Sequence, residues 1–472
     1  MSNSVYRTSS VLARLAAMLY CLVRGVPIGT NRGLCQVLFA VMSGRMLPSR
    51  GAVFPALADL GLNDAEVRRA EAALAYGRWN IASTGSTRSM GSANGHGFTS
   101  HAFTSIDKLA SESGLLARWR SIVLSEARFQ AHEYEGIRPV ACDLVGFFRP
   151  HLKDCRQKHY TSQADKALPA QVFALVGEVG SIGRIRLCLP RLILRQEPYE
   201  MREADFIRRI LALAGKSLAA NEALIIDAGF PLVDLLACGV ERFVARVDKN
   251  FTARRDEAPV YKGHGRHPEY SEVVRPRSRK RNGKVIPGTK ADKSVCWKVG
   301  GRTVRADIFE HLVLSTAKPG TASFRCVVIH DPRYHEPLVL ATTLSVSAKA
   351  LWLLYRDRWP IEQLPLAAKQ MLGAERAFVF GQESRWRLPE LALLGGNMLA
   401  YLAATSQAVT TGFWDRCCRP TCGRLRRTLQ RTHFSELPFP IGQLRKKASP
   451  TDHLPKGVLA HRRQKAVAIT GK

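Results

Sequence analysis

Tyr355, Arg358, Glu362 and Lys369 follow one another at intervals of three, four and seven residues. On a helix those intervals bring side chains to one face. That face would hold one carboxylate among two cations and a phenol. On spacing alone it reads as an ordinary helix surface with favourable ion pairs. Two further acids stand beside apolar, strand-like runs: Asp143 after Val140-Ala141-Cys142, and Asp227 after Leu224-Ile225-Ile226. A carboxylate at such a place is costly unless partnered. Hydrogen bonds from backbone or arginine would satisfy it, and so would a metal ion. For either aspartate singly, the hydrogen-bonded strand end is the simpler account.

The elements that must position these groups change character along the chain. Residues 1 to about 82 have apolar residues at helical spacing, as in Val11, Leu12, Leu15, Leu19 and Leu22. Asn63-Asp64-Ala65-Glu66 supplies a helix start with its cap. The stretch from Ser83 through Gly97 is rich in Ser, Thr and Gly and reads as a linker. A helix is expected over Ile106 to Ala127, then strands at 138–145, 171–179 and 185–194, the last interrupted by Pro190. A helix (203–218), a strand (223–227), a short helix (231–238) and a strand (242–247) follow. Strands first, then strand and helix in alternation, predict an α/β layer with a mixed sheet. Strands resume at 294–308, 326–330 and 337–342, ahead of one long helical stretch over 347–407. Between them Arg275, Arg277, Arg279, Lys280, Arg281 and Lys284 crowd into ten positions, either a solvated loop or one that embraces a phosphate backbone. The tail from 415 reads as basic and irregular. Pro360 suits a first helical turn containing Glu362; Pro365 falls in the interior and is expected to kink the helix before Lys369.

Composition narrows the function classes. The 472 residues carry 70 Lys+Arg against 39 Asp+Glu, a net charge of +31. Such an excess draws polyanions. A hydrophobic content of 46% excludes a disordered basic tail protein. Eleven scattered cysteines fit a reduced chain rather than a disulfide scaffold. The apolar run Leu15–Val23 is nine residues long, short of the roughly 20 a spanning helix needs, so nucleic acid rather than membrane is the expected partner. Ala214-Gly215-Lys216-Ser217 ends like a phosphate loop, but the motif's first glycine would fall on Ile210. Cys417, Cys418 and Cys422 lack a second ligand pair at zinc-ribbon spacing.

Tyr355-x2-Arg358-x3-Glu362-x6-Lys369 matches at every position the signature of DDE-type bacterial insertion-sequence transposases, and this chain resembles that group over roughly residues 135–410. Arg358-Trp359-Pro360-Ile361-Glu362 is similar to its "RW-IE" core, and Asp227-Ala228-Gly229-Phe230 to its "DxGF" strand end. Arg246-Val247-Asp248-Lys249-Asn250 loosely resembles its "R-x-K-x-N" segment, with the lysine shifted by one. The resemblance implies an RNase-H-like catalytic core (106–248 and 346–410) interrupted by a β-rich insertion (249–345). A helical DNA-binding region with its linker (1–105) would precede it, and a basic tail (411–472) follow. It implies Asp143, Asp227 and Glu362 as catalytic residues holding two Mg²⁺ or Mn²⁺ ions. Asp154 is a rival for the first position and Asp234 for the second; Asp143 departs from the family's "D-x-T". Tyr355, Arg358, Lys369 and Arg246 would contact DNA, and Trp297 would either stack on an unpaired base or serve as core. The implied activity is strand cleavage and transfer at terminal inverted repeats, by a homodimer on DNA in the bacterial cytoplasm, associated with the nucleoid. The alternatives are a catalytically inactive, transposase-derived DNA-binding protein and a nucleic-acid-coating protein driven by charge.

Overall fold

The computed structural model describes residues 2–81, 114–257, 260–376 and 378–444, apart from 262, 265–268, 380, 411, 413 and 439. The expected linker, the first turns of the helix expected from Ile106 and the tail beyond 444 lie outside the described residues. No helix among the described residues is long and apolar enough to cross a membrane.

The chain opens with helices α1 (Ser2–Val23), α2 (Thr30–Met42), α3 (Val53–Ala58), α4 (Asp64–Tyr76) and α5 (Leu115–Ser125). Asn63 caps α4 as its sequence suggests: its side chain accepts from the Glu66 amide, and Glu66 reaches back to the Asn63 amide. Strands β1 (Gln130–Ala131), β2 (Arg138–Phe148), β3 (Lys158–Thr161), β4 (Lys166–Ile182) and β5 (Ile185–Arg195) follow. Pro190 does not break β5. The strand pairs only with β4, and a register shift opposite Val176/Gly177 absorbs the disturbance. Then come α6 (Glu203–Lys216), β6 (Glu222–Ile226), α7 (Leu232–Ala237) and β7 (Phe243–Arg246).

In the sheet, β2 is antiparallel to β4 and β4 to β5, whereas β2, β6 and β7 run parallel. Strands β8 (Ala253–Arg255), β9 (Val273–Val274), β10 (Arg279–Arg281), β11 (Lys284–Ile286), β12 (Lys293–Val299), β13 (Arg302–Leu314), β14 (Phe324–His330) and β15 (Leu338–Thr342) occupy the expected insertion. All but the β10–β11 hairpin join the main sheet, because β15 pairs β7 edge to edge. The β-rich segment therefore extends the sheet to thirteen strands instead of standing beside it. The single strand expected over 294–308 is a hairpin turned at Gly300-Gly301, both with positive φ.

The helical stretch expected over 347–407 is divided into α8 (Ala348–Arg356), α9 (Trp359–Leu366), a π turn (Ala367–Met371), a 3₁₀ turn (Ala374–Arg376) and α10 (Ser384–Thr405). The segment expected to be irregular contains α11 (Cys422–Gln430), with Leu425 and Leu429 buried.

Alternating residues send the sheet's two faces into different cores. Ala141, Val145 and Phe147 of β2 join one core with α1 to α5, α9 and α10. Val140 and Cys142 face α6 and α7 in a second. Ala223 and Ile225 of β6 pack under α8 in a third. Asn397 of α10 ties the first core together, accepting from Trp119 Nε1 and donating to the Cys188 carbonyl, both at 2.7 Å. The N-terminal helices are thus part of the sheet's own core.

Candidate active site

Register brings the two aspartates together. Ala141 and Ile225 are the last parallel pair of β2 and β6; Asp143 follows two residues on in β2, Asp227 just past the end of β6, and the Asp227 charge is felt at Asp143. Ile226 opposite Ala245 likewise sets Arg246 beside Asp227. The sites lie at the carboxyl ends of parallel strands β6 and β7, where open α/β sheets bind ligands.

Helices α8 and α9 close over this edge. Tyr355, in the last turn of α8, donates its hydroxyl to Asp227 Oδ1 at 3.1 Å. Arg358, in the two-residue joint, sends Nη2 to Asp227 Oδ2 at 3.2 Å and pairs with Glu362 one turn on. Arg246 approaches Asp227 Oδ1 at 3.6 Å. Pro360 sits in the first turn of α9 and leaves Glu362 there too, as expected.

The electrostatics follow this crowding. Burial pushes the Asp143 carboxyl up to about 6; Glu362 and Asp227 push the same way, while Arg358 opposes them. Tyr355 is driven up to about 12, by burial first and by the Asp227 charge. Burial works to lower the Arg358 pKa, but Asp227, Tyr355, Glu362 and Asp143 outweigh it and hold the guanidinium firmly charged. Three carboxylates remote in sequence thus share the field of one arginine. Among the described residues, however, no three His, Cys, Asp or Glu side chains gather closely enough to hold a metal ion. The Arg358 guanidinium lies between Asp227 and Glu362 instead.

Lys369 departs from the single-face expectation. Pro365 supplies no N–H to the helical ladder, and the chain goes on as a π turn. The lysine amine rests 5.5 and 5.2 Å from the Phe147 and Phe148 rings and 3.6 Å from Glu375. Burial lowers its pKa, with Glu375 opposing. Trp297 is half-buried: its ring packs on Trp352 of α8 at 6.1 Å, against the third core. Asp154 pairs with Arg385 at 2.6 Å, and Asp234 with Arg208 at 2.8 Å, so each rival acid is engaged away from the cluster.

Four neighbours of the cluster carry no sequence signal. Asp357 is fully buried and accepts from His132 Nδ1 (2.7 Å), the Tyr134 hydroxyl (2.8 Å) and Arg186 Nη2 (2.5 Å). Its backbone closes α8, and the next residue is Arg358. The network therefore fixes the joint that aims the arginine, yet its donors lie more than 170 positions upstream. Beside it opens a cleft of about 520 Å³, lined by Arg186, Arg246, Lys249, Tyr355, Arg358 and Trp359. Its acids Asp331 and Glu336 are neutralised, the first by Arg302 and Arg333, the second by Lys249 and Arg277.

Comparison with known protein families and with curated proteins finds no match to this chain.

Proposed function

We propose that the chain is a DNA transposase that cleaves and joins strands at the terminal inverted repeats of a mobile element, with Asp143, Asp227 and Glu362 as its catalytic acids. The observation that carries the reading is the gathering of these three carboxylates, 84 and 135 positions apart in sequence, around Arg358 beside a basic, aromatic cleft. An RNase-H-like core is part of the proposal. The antiparallel series β2–β4–β5 continued by parallel β6 and β7, with helices on both faces, supports it.

The donor set suits Mg²⁺ or Mn²⁺, since all three groups offer hard oxygen ligands and their mutual repulsion favours a cation among them. Two such ions would activate a water or a DNA 3′-hydroxyl and offset the charge on the leaving oxygen. The chain's own residues do the rest. Arg358 holds Asp227 and Glu362, and its guanidinium could also bind a phosphate oxygen. Tyr355 keeps its proton at neutral pH and so can donate to the Asp227 carboxylate or to phosphate. Arg246, Lys249 and Arg186 line the cleft as phosphate contacts. Joining two ends calls for a homodimer on DNA, in the bacterial cytoplasm with the nucleoid.

One observation favours a second reading, a DNA-binding protein without catalysis: the three acids do not close into a metal-holding group while Arg358 bridges two of them. Mg²⁺-dependent nicking of duplex carrying the inverted repeats that flank the gene separates the two. The transposase reading expects nicking by the parent chain and its loss in Asp143→Ala, Asp227→Ala and Glu362→Ala with DNA binding retained. Binding without nicking in the parent chain supports the second.

A further inference from the structure

Most arginines packed in this fold are answered by acids. Arg120, Arg138 and Arg191 share the buried Glu178, Arg209 holds Glu200, and Arg302 and Arg333 hold Asp331. The C-terminal described region differs. From Arg416 to His433 the sequence carries Arg416, Arg419, Arg424, Arg426, Arg427 and Arg431, with no acid and no lysine. Arg424 is neutralised by Asp415, and Arg426 bonds Gln430. Arg416, Arg419, Arg427 and Arg431 are exposed, and among the described residues none of them meets a carboxylate.

Helix α11 carries Arg427 outward and ends at the exposed Arg431. Thr421 caps α11 by accepting from the Arg424 amide. Leu425 and Leu429, one turn apart, are buried against the first core. Arg427 and Arg431 are also one turn apart, about 6 Å along the axis, with no acid between them. Like charges at that spacing repel one another, and an anion lying between the two would relieve that repulsion. Arg426 fastens the helix beneath this face. Its side chain passes close to Gly44, at the position where a Cβ would also touch the Met371 carbonyl. Met371 ends the π turn that continues from the Glu362 helix, so α11 packs beside the segment that follows the candidate active site.

We infer that Arg416, Arg419, Arg427 and Arg431 form a second nucleic-acid surface, seating the phosphate backbone of duplex DNA that flanks the strand presented to Asp227 and Glu362. The inference rests on the transposase reading for its choice of DNA. Arginine without lysine suits it, since the planar guanidinium fork matches phosphate oxygens pairwise. No base contact is needed: the surface contributes affinity and register and leaves sequence reading to other parts.

The test compares the full chain with a variant carrying glutamine at all four positions and with one carrying lysine at all four. Duplex affinity is measured across salt concentrations, and folding is checked by thermal unfolding. Four phosphate contacts predict a log–log salt slope shallower by about 3.6 in the glutamine variant, with the lysine variant close to the parent. An unchanged slope in a folded glutamine variant overturns the inference. Loss of binding to a polyglutamate peptide with duplex binding intact also overturns it, because the occupant is then acidic protein. A parent chain that shows the slope but never nicks DNA leaves this surface standing and removes the catalytic reading alone.

Discussion

At the scale of single residues the site turns on which cation satisfies three acids. Arg358 is the cation in place, so its removal should act in two directions. Arg358→Ala is expected to tighten Mn²⁺ binding, measured by isothermal titration, because Asp227 and Glu362 lose their competitor. The same substitution should slow nicking at least about 100-fold, the scale typical of losing one group that stabilises developing charge. Unchanged Mn²⁺ affinity would show that Arg358 does not occupy the ion's place. Asp357 acts one residue away. Its truncation to alanine strands the half-buried donors of His132 and Tyr134 and leaves the exposed Arg186 guanidinium to water, at a cost of about 1–3 kcal/mol in urea unfolding. Asp357→Asn, which keeps the shape and one acceptor, should cost clearly less.

Two elements deserve their own tests, α2 and α10. At Gly33 an added Cβ would stand 2.8 Å from the Ala73 Cβ and 3.0 Å from the Arg69 carbonyl, so α2 and α4 touch there backbone to backbone. Gly33→Ala should destabilise by about 1–3 kcal/mol through overpacking, read as a lowered denaturation midpoint. Helix α10 is buried on nearly every side and carries Glu390 into the interior, 3.5 Å from Arg195. Burial pushes that carboxyl up to about 7, against the pull of Arg195. The folded chain therefore holds the proton more tightly than the unfolded chain does. The resulting stability is complete below pH 4.5, the unperturbed value, and is lost as pH rises through about 7. Glu390→Gln, which never ionises, should gain on the parent in melting temperature across that window and keep a constant lead above it. A parallel pH dependence in both proteins would refute this.

For the whole molecule, the decisive feature is that the N-terminal helices complete the core they share with the sheet. Almost all of α2 is buried, and Leu34, Leu38 and Phe39 share a core with α10 and with Phe147 of β2. Deleting residues 1–76 should therefore expose the first core and give insoluble protein. The full chain should unfold over this region in one calorimetric transition. A soluble, cooperatively folding fragment from 77 onward would contradict the shared core. The same continuity applies to the sheet: β15 pairing with β7 makes the β-rich segment an extension of the α/β layer, so force or heat should not release it separately.

Much of this was legible in local pattern. The α4 cap, the β6 and β7 strands, the α6 helix and the contacts of Arg358 with Tyr355 and Glu362 all depend on residues within a few turns of one another. Asp227 could be placed at a strand tip because an apolar run ended there. What sequence could not supply were relations across the chain. Pro365 marked a disturbance, but only packing decided that it becomes a π turn and carries Lys369 onto Phe147 and Phe148. Trp297 had no local mark to show what its ring packs against until Trp352 lay beside it. The Asp357 network is assembled from three segments whose separation in sequence hides any spacing. Periodicity records which face of an element is buried; which element covers that face is set by long-range register, and that information is carried by the assembled fold.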